Sequence, residues 1–289
     1  MVDALGLRHA AGAPRARALR RRYWERRFAG GKRSTLLASY PKAGRTWLRF
    51  LIAEYYNHAQ RLGLDIDFES VFSVVPNYTA RPPKGFRGYV CARYPEVPLV
   101  VATHRSHTYE FDGLATIMLV RSPLDVIVSR YFHDNRRRRV VELDLREYVR
   151  SPLGVDAVVS YLNSWADTMS APSSLTLSYE GLRRDTAGSL ARVVTFLGSP
   201  VDSGAIEYAI ELSRFDRMRM METTRGTVPG VAVDTADEEA QRVRRGRVGG
   251  FSEHLTTTEA ESILGELDAR LDARVWEVIT RDCLEPPRR

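Results

Sequence analysis

LLASYPKAGRTWLRFLIAEYY, residues Leu36 to Tyr56, reads as a buried strand, a tight loop and a helix. Leu36 to Tyr40 form a short apolar run of the kind that fills the middle of a parallel sheet, and Pro41 ends it because it brings no ladder donor. From Trp47, apolar residues recur at Leu48, Leu51, Ile52, Tyr55 and Tyr56, one helix face at about 100° per residue. Between the two, small Ala43 and Gly44 let backbone N–H groups turn inward at a helix N-terminus, where unpaired donors and the helix dipole attract an anion. Lys42 stands at the mouth of that cradle and Thr46 on its first turn. These residue types describe a phosphate seat. The nucleoside-triphosphate loop needs G-x-x-x-x-G-K-[ST], with lysine after the last glycine. In this chain Lys42 precedes Gly44, and no GKS or GKT occurs.

Further strand ends lie outward from this loop. Pro98 to Thr103 (PLVVAT) reads as a second strand with His104 at its end. Ligands of open α/β sheets gather beyond the carboxyl ends of the strands, which favours His104 over His107 as the histidine that meets the bound group. Leu114 to Val120 reads as a third strand, followed by RSPLDVIVSRYFHD. There Ser122 is a cap, Pro123 the first helical residue and Asp125 a capping-box partner. Arg121 before this helix and Ser129 two turns along offer a guanidinium and a hydroxyl to a second phosphate. Leu175 to Tyr179 reads as a fourth strand. Helices are expected over Val155 to Met169, Thr186 to Leu197 with its stop at Gly198, Ser203 to Leu212, and from Thr256, boxed by Glu259, to about Val278.

The expected fold is α/β: a single domain with a central, mainly parallel sheet flanked by helices and a P-loop-like strand-loop-helix phosphate site. Arg61 to Tyr94, broken by prolines and glycines, reads as a long loop. Its aromatics Phe72, Tyr78, Phe86 and Tyr89 either contact a bound small molecule or plug the loop onto the domain. Phe132, Tyr161 and Trp165 join them as candidate substrate contacts, with Tyr131 beside them. Glu222 to Glu239 has little periodicity and reads as a segment over the site.

YPKAGRTW, Tyr40 to Trp47, resembles the 5′-phosphate-binding loop of the PAPS-dependent sulfotransferases, usually YPKSGTTW, at six of eight positions. The resemblance to the cytosolic-type family runs from Tyr40 to Leu255. Its 3′-phosphate motif RxPxDxxxS stands as RSPLDVIVS, and its RKGxxG segment as RRGRVGG. The resemblance implies that Lys42, Ala43, Gly44, Arg45 and Thr46 hold the 5′-phosphate end. It gives the 3′-phosphate to Arg121, Ser129, Arg244, Arg245 and Gly246. Trp47, Tyr179, Ser213 and Phe215 would serve the adenosine. It further implies PAPS as donor and PAP as product, His104 as base, and catalytic roles for Lys42 and Ser129. No metal is required. Two departures stand out. Ala102 replaces a lysine that holds the sulfonate end in relatives, leaving Arg45, Arg105 or a backbone N–H to take over. The family's dimer motif is not carried across, because Ser252 and Thr257 replace its lysine and valine.

The chain of 289 residues, 44% hydrophobic, suits one large domain, 34–289, behind a basic extension, 1–33. Within that extension Pro14 to Phe28 reads as a basic helix, with Tyr23, Trp24 and Phe28 to pack on the domain. No apolar run approaches the roughly 18 residues that suggest a membrane span. Cys91 and Cys283 allow at most one bridge, so a reduced cytoplasm is the default. The net charge of +7 welcomes acidic partners. Lysine occurs only at Lys32, Lys42 and Lys84, and arginine supplies the rest of the 43 basic residues. A lysine kept at 42 against that bias points to a compact ammonium wanted there. Arg136 to Arg139 reads as a solvated rim, with recognition of an acidic acceptor as the alternative. No zinc spacing, RNA-binding signature or helix-turn-helix pattern speaks for nucleic acid.

The expected activity is transfer of a sulfonate from PAPS to the hydroxyl of a small-molecule acceptor, such as a secondary metabolite, by in-line displacement. A basic polyanion- or membrane-surface-binding protein and a nucleotide kinase of related fold are the competing readings.

Overall fold

The computed structural model describes residues 29–78, 88–138, 140–225 and 246–284, with Leu19, Arg22, Glu25 and Arg26 ahead of them. Four short strands, β1 (Thr35–Ser39), β2 (Val100–Thr103), β3 (Thr116–Val120) and β4 (Ser174–Ser178), form one parallel sheet in the order β2-β1-β3-β4. The sheet switches direction around β1, with β2 on one side and β3 on the other. In register, Ala38 faces Thr103 and Met118, and Val120 faces Ser178. The carboxyl ends of all four strands therefore share one edge, and the residues that follow them meet there.

Alternation along the strands divides the core. Leu37, Ile117 and Leu119 enter one apolar cluster. Leu36, Ala38, Met118 and Val120 enter the other. The first cluster packs the helices Arg45–Ala59, Thr186–Phe196 and Ser203–Leu212, and the second packs Pro123–Phe132, Val155–Ser164, Thr257–Arg270 and Ala273–Asp282. A sheet covered on both faces accounts for the nearly continuous apolar strands.

Several expected elements take a different shape. The helix after the first loop is buried on every side from Leu48 to Asn57, not along one face. Its Asn57 is held by the backbone of Leu64 and its Glu54 by Asn57. The stretch read as a loop from 61 to 94 contains the short helices Val71–Val74 and Val90–Arg93, and Asn77 bridges to Ala102 beside β2. The helix expected from Val155 to Met169 breaks at Trp165 into Val155–Ser164 and Ala166–Met169. Thr256 and Glu259 do form the capping box, but the last helix stops at Arg270 and Asp272 caps a new one, Ala273–Asp282. Cys91 and Cys283 are both buried free thiols. Phe86, Arg139, Arg244, Arg245, the aromatics Tyr23, Trp24 and Phe28, and 226–239 of the segment expected over the site lie outside the described residues.

Candidate active site

The first loop turns on two left-handed residues, Lys42 at φ 73° and Gly44 at φ 95°. Gly44 is irreplaceable twice over. Its φ suits glycine, and a Cβ there would meet the Tyr179 ring at 2.5 Å. Ala43 is buried beneath the loop, while Lys42, Gly44, Arg45, Thr46 and Trp47 line a cavity of about 680 Å³. The helix that begins at Arg45 has no side-chain cap, so its first N–H groups are offered to this space.

His104, Arg121, Ser129, Tyr179, Ser213, Phe215 and Gly246 line the same cavity. They come from the ends of β2, β3 and β4, from the junction between the helices Ser203–Leu212 and Phe215–Arg225, and from the turn before the Gly250–Glu253 segment, so the sheet edge gathers what the sequence scatters. Gly246, at φ 62°, lies against Phe215, where a Cβ would approach the ring to 2.7 Å. Trp47 packs edge-on to Tyr179 at 5.9 Å, with Arg183 over its ring at 5.6 Å. Phe215 adds a further aromatic ring to the cavity lining.

Arg121 is organised by the protein itself. Its Nη1 donates to the Lys42 carbonyl at 3.1 Å, its Nη2 to Asp125 at 3.2 Å and to the Arg247 carbonyl at 3.0 Å, and its guanidinium lies 4.5 Å over the Tyr179 ring. The capping box expected at Ser122 does not form. The Ser122 N–H donates to Glu180 at 3.0 Å, and its hydroxyl caps nothing. Asp125 instead accepts the backbone N–H groups of Gly249 and Phe251, each at 2.9 Å, and so ties the 249–251 turn to Arg121. Asp125 was thus misread as a cap, although it is the aspartate of the very motif that points to this site.

His104 is half-buried on the cavity wall, its Nδ1–H donating to the Ser39 carbonyl at 2.7 Å. That bond fixes the tautomer and leaves Nε2 as the basic nitrogen. Burial, followed by the nearby Arg45 guanidinium, pushes the imidazole well below its usual 6.5, so it is neutral at pH 7. His107 is occupied elsewhere, edge-on to Trp165 at 4.8 Å and 3.5 Å from Asp112.

The aromatics expected to meet an acceptor separate sharply. Phe72 lies on the wall. Tyr161 and Trp165 are core residues, 1% and 0% exposed, because the sheet's second face needs their bulk. The Tyr78 hydroxyl donates to Glu110 at 2.9 Å, and Tyr78 packs on Phe111. Tyr89 packs against the first apolar cluster, and Phe132 against His254 at 4.8 Å. Arg105, one candidate to replace the missing lysine at 102, is turned to Glu110 at 3.3 Å. Sequence reasoning missed Arg49, Asn77, Arg130 and His133, all on the wall. Arg136 and Arg138 are exposed, with Arg138 at the cavity's edge.

An aligned set of parallel strand ends, an uncapped helix start behind a left-handed turn and a clustered basic wall define an α/β protein that holds a phosphorylated ligand beside a neutral imidazole. Within that class, the chain belongs to the sulfotransferase domain family, whose profile matches residues 32–266 and whose chemistry is sulfonate transfer. It is 25% identical over 239 residues to 3-alpha-hydroxysteroid sulfotransferase of Cavia porcellus, covering 79% of this chain and 80% of that protein. Cytosolic sulfotransferase 15 of Arabidopsis thaliana is 22% identical over 278 residues, 86% of this chain and 74% of the relative. Among solved structures, retinol dehydratase in complex with retinol and PAP shares the fold at TM-score 0.62 and 17% identity, over 95% of this chain and 88% of that one. Mouse sulfotransferase SULT7A1 complexed with PAP does so at TM-score 0.57 and 17% identity, over 86% and 87%. Among the described residues no helix is long and apolar enough to cross a membrane.

Proposed function

We propose that the protein transfers a sulfonate from PAPS to the hydroxyl of a small-molecule acceptor, with His104 as the base. The observation that carries this reading is the Nδ1–Ser39 hydrogen bond of a depressed-pKa imidazole on the wall of the phosphate cavity. The residues present fit the donor. Gly44 leaves room that a side chain would fill, and two buried atoms of cavity residues, Arg121 Nε and Ser213 Oγ, have no protein partner. Arg121 and Ser129 would take the 3′-phosphate, the Lys42 to Thr46 loop the 5′-phosphate, and Trp47, Tyr179, Ser213 and Phe215 the adenosine. Arg45, on the loop and beside His104, is the natural replacement for the lysine absent at Ala102, since Arg105 is engaged by Glu110.

When bound, PAPS supplies a sulfonate activated by its 5′-phosphate. The acceptor oxygen bonds to sulfur as the sulfur–oxygen bond to that phosphate breaks, and the acceptor's proton passes to His104 Nε2. Lys42 sets a compact cation where charge develops on the departing oxygen. Ser129, on the same wall, would hold Lys42 back until the acceptor arrives. A thermal-shift comparison tests the donor: PAP raises the melting temperature and ATP with magnesium does not. The opposite order points to a kinase and contradicts the reading.

A further inference from the structure

The cavity wall near His104 also bears the guanidinium groups of Arg49 and Arg130. Arg49, 4% exposed, lies 4.5 Å over the Phe72 ring and donates to Asn77 at 2.5 Å. Arg130 follows Ser129 on the Pro123–Phe132 helix and is 5% exposed. Its Nε donates to Asp134 at 2.6 Å, and the Tyr148 hydroxyl donates to the same carboxylate oxygen at 3.1 Å. The other edge of the fork is unused: Arg130 Nη2 is buried and has no hydrogen-bond partner. A buried charged donor left unsatisfied is expensive, and its persistence calls for an acceptor that arrives from outside. Both side chains line the cavity that contains His104. Both also act on the imidazole electrostatically, as Arg45 does.

We propose that the acceptor is a hydroxy acid, its carboxylate held by Arg130 and Arg49 while its hydroxyl meets His104. The proposal rests on the sulfonate-transfer reading and names the substrate class of that site. A carboxylate matches the planar guanidinium fork and satisfies the idle Nη2. A wholly apolar acceptor leaves the Arg130 Nη2 donor unsatisfied. Phe72, already stacked under Arg49, offers an aromatic or aliphatic body a surface beside the charged end.

The test is calorimetric titration of the PAP-loaded protein with 4-hydroxybenzoate, 4-hydroxyphenylacetate and 3-(4-hydroxyphenyl)propionate, each against its own amide. At least one acid is expected to bind roughly tenfold more tightly than its amide, the size of one charge-assisted hydrogen bond. In the paired variant R130Q/D134N, which removes both buried charges together, that margin should disappear while PAP affinity is retained. R130K should keep part of it. If no acid is preferred to its amide, including the case in which none binds, the proposal is overturned by the unaltered protein alone. A margin that survives in R130Q/D134N overturns it as well. Failure of PAP to bind the unaltered protein is a different result and removes the underlying reading instead.

Discussion

The proposed role of His104 rests on one hydrogen bond and one shifted equilibrium. With Nδ1–H committed to Ser39, only Nε2 is left to accept a proton. His104→Ala should lower turnover by ~10²–10⁴, the usual yield of general base catalysis, and leave PAP affinity unchanged by titration. Because burial and Arg45 depress its pKa, the imidazole stays neutral as the pH falls through 6.5. The acid limb of the pH–rate profile should accordingly lie well below 6.5, whereas an ordinary histidine would place it there. Lys42→Ala should cost ~10²–10³ in rate, as expected for one preorganised electrostatic contact in the transition state. That His104 and Lys42 line the cavity was legible, the first from its place at a strand end and the second from its survival in an arginine-biased chain. Arg130 was not, because nothing in its spacing distinguishes it from the chain's many other arginines until the fold buries it against Asp134.

At the scale of elements, the turns matter more than the helices. Gly44 combines a left-handed backbone with a close approach by Tyr179. Gly44→Ala should destabilise the protein by about 1–3 kcal/mol in urea titration and weaken PAP binding. Adding Tyr179→Ala should recover only part of the stability, since it relieves the clash and not the dihedral strain. Asp125 is 98% buried and joins Arg121 to the 249–251 turn. Asp125→Ala should cost about 3–5 kcal/mol, because it removes the carboxylate paired with Arg121 and leaves the Gly249 and Phe251 N–H groups without their acceptor. Strands and helices were readable from apolar spacing and from Thr256 with Glu259. The breaks at Trp165 and Leu271 were not, since apolar residues continue across both. The same blindness made a capping box of Ser122 and Asp125. Spacing reveals a local partner but not a distant one such as Gly249.

Across the whole molecule, the sheet's two faces and its carboxyl edge divide the labour. Aromatics fill the faces, and charge collects at the edge. Trp165 illustrates the division. Stacked 5.6 Å from Phe111 and fully buried, it belongs to stability. Trp165→Ala should lose about 3–5 kcal/mol while the remaining folded protein binds PAP as before. Sequence alone gave no means of separating Trp165 and Tyr161 from Phe72, since an aromatic near a catalytic motif has the same letters whether it fills a core or faces a ligand. The phosphate seats were clearer. Each requires a glycine, a lysine or a helix start at a strand end, and aligned parallel strands bring such ends together. The most direct measurement of that central claim is a calorimetric comparison of PAP with adenosine 5′-monophosphate, which lacks the 3′-phosphate. PAP should bind one to one and roughly tenfold or more tightly, with the advantage lost in Arg121→Ala; equal affinity for the two nucleotides, or no binding of either, would contradict the account.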